Sequence, residues 1–382
     1  MPIDRCIKLL SELVAINSVN PSLVPGAQGE TAVANFVAAE LKKIGMDTQV
    51  IDVLPGRPNV IGTLRSMRKG RTLILCGHLD TVGIHDESLL TAIEKDGRLY
   101  GRGAVDMKAG VAAMIDAARR VAETGGLPAG ELIIAAVMDE EYTSLGAEAL
   151  ARTIKADAAI VTEQTDLAIG IAHKGFTWVE IETRGIAAHG SKHLEGRDAI
   201  IRMGRVLHRL ERLDRELQSR EPHPLLGSPS LHASLIRGGS ELSTYPDLCS
   251  LKIERRTVSG EDTGTALQEV QNILERLRLE DPDLIFSAKM IFDRLPYETP
   301  IDSALPGVLE SAMKKFGLPP ERRGMSYWAD AAILGHAGIP TVLFGPGGEG
   351  AHSPDEYVKI DDVIACRDIL AECASRFCAS ET

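Results

Sequence analysis

Residues 71–80 read Arg71-Thr72-Leu73-Ile74-Leu75-Cys76-Gly77-His78-Leu79-Asp80. The apolar run lacks the alternation of a half-exposed strand, so it predicts a strand buried on both faces, in the middle of a sheet. His78 and Asp80 follow directly. In an open α/β sheet the loops beyond the carboxyl ends of such strands converge on one crevice, and chemistry is to be sought there.

Three further runs repeat the pattern. Residues 131–138 (ELIIAAVM) lead into Asp139-Glu140-Glu141, residues 158–161 (AAIV) into Thr162-Glu163, and residues 340–344 (PTVLF) into a Gly-rich turn that ends at His352. Amphipathic helical stretches separate the first three runs, which makes the fold class α/β. Asp106 stands between GRGAV and the helical stretch MKAGVAAMIDAARR, so it too belongs to a loop entering a helix.

The segment between the third and fourth runs differs in character. It predicts a strand at 175–184, a helix at 198–216, strands near 230–236 and 248–255, a helix at 262–279 and a strand near 284–291. That β-α-β-β-α-β order is the ferredoxin-like α+β sandwich, a unit able to sit inside another domain. Two domains are therefore expected, one formed by residues 1–172 and 293–382 and one inserted at 173–292.

Composition narrows the function. With 42 Lys and Arg against 54 Asp and Glu, the net charge of -12 disfavours nucleic acid and anionic membrane surfaces, and leaves a small molecule as the expected partner. No run is long and apolar enough to span a membrane. The opening stretch MPIDRCIKLLSELVAI has apolar residues at helical spacing broken by charges, unlike an export signal, so a cytoplasmic enzyme is expected. Six scattered cysteines show no C-x-x-C spacing, which argues against a thiolate zinc site. The glycines at 101–103 and 345–350 complete neither a P-loop nor a dinucleotide fingerprint.

Singly, each acid or histidine named above has an ordinary explanation as a surface pair, a solvated turn or a helix cap. Together they aim two imidazoles and several carboxylates at one spot, a donor set suited to zinc, with cobalt or manganese as alternatives. Two divalent cations against Asp106, Glu141 and Glu163 leave one positive charge, which a bridging hydroxide neutralises. A single cation would leave the site negative and poorly suited to activating water.

HLDTV, GRGAVDMKAG, MDEE, TEQT and FGPGGEGAHSPDEYV resemble, in order, the metal-site motifs of the di-zinc aminoacylase and carboxypeptidase superfamily, which includes acetylornithine deacetylase and succinyl-diaminopimelate desuccinylase. HKGF, GIAAHGSKHLEGRDAI and YPDLCSLKIERRTVSGE are similar to its lid, so the resemblance spans nearly the whole chain. It implies a zinc-peptidase-like catalytic domain, with a central mixed sheet flanked by helices, and an inserted lid and dimerisation domain. It further implies that Asp106 bridges two Zn2+ ions, with His78 and Glu163 on one and Glu141 and His352 on the other. Glu140 would be the general base for hydroxide attack, and Asp80 would orient His78. His189 would donate to the substrate oxyanion across a homodimer, and Arg256 would meet a substrate carboxylate.

The chain departs from the family where Glu163-Gln164-Thr165 replaces Glu-Pro-Thr, where Ser243 takes the place of a lid asparagine among the substrate contacts, and where His193 replaces a proline. The implied activity is removal of an acyl group from an N-acylated amino acid. A carboxypeptidase or dipeptidase using the same site is the alternative enzyme. From another class comes a non-catalytic dimeric binding protein, which retention of Glu140 and the full ligand set disfavours.

Overall fold

The computed structural model describes residues 4–380, so the first three residues of the N-terminal helical stretch lie outside it. The described chain forms two compact units. One contains residues up to Ile171, Thr299–Arg323 and the residues from Ala329 onward; the other contains Ala172–Glu298 and Gly324–Trp328.

In the first unit the strand Thr72–His78 lies parallel to Glu131–Val137 on one side and to Ala158–Val161 on the other, and Thr341–Leu343 continues parallel beyond Ala158–Val161. Continuous apolar runs become the inner strands because helices cover both faces. Arg57–Arg65 pairs antiparallel with Glu131–Val137, and Asp47–Leu54 pairs antiparallel with Arg57–Arg65, which makes the sheet mixed.

Alternate side chains divide the strands between two faces. Leu73, Leu75, Leu132, Ile134, Ala136 and Ile160 share one core with residues of helices Arg5–Ala15, Thr31–Ile44, Ala109–Glu123, Leu305–Lys315 and Ile360–Ala379. Ile74, Cys76, Ile133, Ala135 and Ala159 are buried on the opposite face, where helices Leu145–Thr153 and Ala331–His336 pack. Ala109–Glu123 is the most enclosed helix, with 11 buried residues, and its small side chains let it lie close against the sheet.

A second, small sheet orders the strands Gly348–Glu349, Tyr357–Lys359, Arg98–Tyr100 and Ile93–Lys95. Tyr357 pairs with Tyr100 and Val358 with Leu99, so segments far apart in the sequence run side by side. This ties the loop after Arg98–Tyr100, which carries Asp106, to the loop before Tyr357–Lys359, which carries His352. Among the described residues no helix is long and apolar enough to cross a membrane.

The inserted unit runs Gly175–Arg184, Ala199–Ser219, Ser230–Gly238, Leu248–Thr257, Thr265–Glu280 and Ile285–Arg294, the ferredoxin-like order. Its antiparallel sheet orders Ser230–Gly238, Leu248–Thr257, Gly175–Arg184 and Ile285–Arg294. Val179, Ile181, Leu251 and Ile253 face Met203, Val206 and Leu210 of one helix and Val270, Leu274 and Leu277 of the other. Asp198 starts the first helix by accepting the Ile201 amide at 2.9 Å.

Helix Ala109–Glu123 owes its seat to Gly110. A Cβ there would collide with the Thr162 carbonyl oxygen, in the residue before Glu163. Gly110→Ala should therefore cost about 1–3 kcal/mol despite alanine's better helix propensity. Thermal denaturation checks this, and an unchanged or raised melting temperature would contradict the close approach.

Candidate metal centre

The carboxyl ends of the inner strands deliver their polar residues to one place in the first unit. His78 closes its strand and is fully buried, and its Nε2 lies 3.1 Å from Asp106 Oδ1, 3.7 Å from Glu163 Oε1 and 3.9 Å from Glu140 Oε2. His352 Nε2 lies 3.2 Å from Asp106 Oδ2 and 3.1 Å from Glu141 Oε2. Asp106 thus turns one oxygen to each imidazole.

Two groups of ligand atoms fall within 4.8 Å of one another, His78, Asp106 and Glu141 in one and His78, Glu140 and Glu163 in the other. The His352 side chain is 56 % exposed whereas that of His78 is not exposed at all, so the cluster has a deep half and a rim half. Asp139 and His352 both adopt left-handed backbone conformations, with φ of 70° and 66°. Non-glycine residues held there carry strain of the kind that collects at functional sites.

Asp80 does more than sit beside His78. The imidazole Nδ1 is 3.0 Å from the Asp80 backbone carbonyl, which fixes the ring, while its distance to the carboxylate is 3.6 Å. The Asp80 carboxylate instead accepts the backbone amides of Glu140 and Glu141, each at 3.1 Å, and the Asn20 side-chain amide at 2.8 Å. Asn20 also donates to Asp139, and the buried Arg57 pairs with Glu30 and Asp139. A buried polar network of this kind holds the turn that presents Glu140 and Glu141.

The inserted unit carries the remaining three candidates. His189 is exposed, bridges in strand fashion to Thr244, and has its Nδ1 2.9 Å from the Ser191 hydroxyl. Ser243, also exposed, accepts the Gly190 amide through its carbonyl at 2.7 Å, so His189 and Ser243 are near neighbours. Arg256 is half-buried, donates to Glu254 at 2.6 Å and lies over the Phe176 ring.

Several residues at or behind the cluster carry no strand-end signal in the sequence. Asp330, which precedes the short helix Ala331–His336, is buried, and its charge adds to the upward push on Glu140 and Glu163. No apolar strand run precedes it, so a search of strand ends misses it. Asn20 and Arg57 left no signal in the sequence either. Arg102 and Glu356 fall inside the glycine-rich motifs, where no spacing or pattern marks them out.

The electrostatics of the cluster describe its appetite for positive charge. Burial pushes Glu140 and Glu163 well above the usual carboxylate range, with neighbouring acids adding to the push. Burial followed by the Asp106 charge carries Glu141 to about 7. Hydrogen bonds to Asp106 and Glu141 raise His352 to about 10. Burial alone would lower His78, yet Asp106 and the surrounding carboxylates hold it well above its ordinary value. Burial would raise Asp106, but its bonds to both histidines outweigh that and keep it ionised. Crowded acids that draw in protons so strongly fit bound cations, and mixed imidazole and carboxylate donors suit zinc, cobalt or manganese.

The family model for Peptidase family M20/M25/M40 matches residues 74–376. An acetylornithine deacetylase of Proteus mirabilis is 30% identical, with 98% of this chain and 97% of that protein covered. A tripeptidase of Staphylococcus aureus has the same fold, with a TM-score of 0.83 at 20% identity and 98% of each chain covered. A Bacillus subtilis protein described as a dinuclear metal-binding peptidase aligns with a TM-score of 0.74 at 15% identity, over 98% of each chain.

Removing metal should expose the proton appetite as a pH dependence. Glu141 titrates at about 7 when folded against an ordinary 4.5, and His352 at about 10 against 6.5. Between each pair of values the folded state binds the extra proton, so stability falls as pH rises. The melting temperature of chelator-treated protein is expected to drop by several degrees from about pH 6 to about pH 9. Zinc-loaded protein should not follow, because bound cations replace those protons. A flat profile for the chelated protein would contradict this account.

Proposed function

The chain belongs to peptidase family M20/M25/M40, and from that premise we propose that it is a metal-dependent amidohydrolase removing the acyl group from an N-acylated amino acid. Acetylornithine and succinylated diamino acids are the model substrates. The observation that carries this reading is the division of the Asp106 carboxylate between two imidazoles, with Glu140 3.9 Å from one of them.

In this reading Asp106 would be shared by two zinc ions, which His78 and Glu163 would hold on the deep side and Glu141 and His352 on the rim. When bound, the cations supply a water of lowered pKa and polarise the scissile carbonyl. Glu140 accepts the proton of the attacking water and hands it to the leaving amine. Asp80 keeps Glu140 and Glu141 in register through their backbone amides.

From the inserted unit we assign His189 to the developing oxyanion, Arg256 to the substrate carboxylate and Ser243 to a further substrate contact. His189 would serve the partner subunit of a homodimer. An edge strand supports dimerisation through this unit: among the described residues Ser230–Gly238 pairs on one side, with Leu248–Thr257, and exposes Leu235 and Ile236, and Ile200 and Ile201 are exposed at the start of the adjacent helix. A cytoplasmic location completes the proposal.

Glu140→Gln should keep both zinc equivalents while lowering kcat by about 10²–10⁴-fold. Metal analysis beside steady-state kinetics reads both, and unchanged turnover would remove Glu140 from the reaction. A panel of acetylated, formylated and succinylated amino acids beside dipeptides tests the substrate class. Acylated amino acids should turn over, and cleavage of dipeptides alone would replace the deacylase reading with a dipeptidase.

A further inference from the structure

One pair of residues links the two loops that the proposed function places on the same ion. Glu356 and Arg102 are both buried, and Arg102 Nη1 donates to Glu356 Oε2 at 2.6 Å. The carboxylate also accepts the amides of Gly103 at 3.0 Å, Val105 at 3.0 Å and Asp106 at 3.2 Å. In return the second arm of Arg102 reaches the carbonyl of His352 at 3.3 Å. Each loop thus grips the other: the residue four places after His352 holds the Asp106 amide, and the residue four places before Asp106 holds the His352 carbonyl.

We propose that Glu356 and Arg102 are positioning residues that set Asp106 and His352 at the spacing a shared cation requires. The inference rests on the metal-centre reading above. The turn at 103–106 is not regular helix, with Asp106 at φ -120° and ψ 93°, so these amides are held by a side chain from elsewhere in the chain. Fixing ligands before the ion arrives lowers the ordering cost of binding, and partners of ligands change affinity without touching the metal.

An ordinary buried ion pair would serve folding alone, and the choice of variants separates the two roles. Glu356→Gln keeps the shape but places an NH2 group where every neighbour is a donor, so whichever way the amide turns, one set of bonds is lost. Arg102→Lys keeps the charge and leaves the carboxylate and its three amide bonds, but removes the second arm to His352.

The test is zinc titration against a chromophoric chelator, with melting of the metal-free proteins alongside. Glu356→Gln is expected to weaken zinc binding about 10–100-fold, and Arg102→Lys to weaken the second equivalent while sparing the first. Wild-type affinities in both variants, even with lowered melting temperatures, would make the pair a folding element and overturn the proposal. Should Glu356→Gln not fold, Arg102→Lys decides alone, and an unchanged second equivalent overturns it. A wild-type protein that binds no zinc overturns the metal-centre reading as well, whereas two sites in the wild type and identical sites in the variants overturn only the brace.

Discussion

Asp106, Glu140, Glu141 and Glu163, all largely buried, crowd around the buried His78 and the more exposed His352, and in that low dielectric their mutual repulsion is stronger than at a surface. Much of the surrounding structure answers this repulsion. Arg57 and Asn20 stabilise the acids behind the Glu140 turn, and Arg102 stabilises the acid behind the Asp106 turn. Protonated histidines offset part of the remaining charge, and divalent cations would offset it more fully. The parallel strands matter because they bring these groups to one edge while keeping each on a rigid support.

That edge was legible in the sequence for a local reason. The inner strands are apolar runs with a histidine or acid in the turn that follows, closely as in Cys76-Gly77-His78 and Met138-Asp139-Glu140 and after a longer Gly-rich turn at His352, so strand and site share neighbouring stretches of chain. The inserted unit was legible for a similar reason, since its helices keep one apolar stripe and its strands alternate. Strand ends there shifted by a few residues, with Ser230–Gly238 and Ile285–Arg294 running past the expected 236 and 291. Those extra residues are exposed or half-buried, so hydrophobic pattern gives no stop signal.

What stayed hidden was pairing over long separations. The outer strand Asp47–Leu54 has no buried residue and so no apolar pattern to read, and the small sheet is built from strands of two or three residues. Arg102 and Glu356 stand 254 positions apart, and nothing periodic connects them. Asp330 stands before a short helix, and Arg57 reaches the site from the amino end of an antiparallel strand, so neither follows an apolar run. Such partners are specified by the folded geometry and leave no trace in local composition.

The left-handed backbone at His352 sets evolution a dilemma. Asparagine or glycine would relax that position, which strains most other residues by about 1–3 kcal/mol. Either replacement would discard the imidazole that faces Asp106 and Glu141. Backbone ease and the imidazole therefore cannot both be had at position 352.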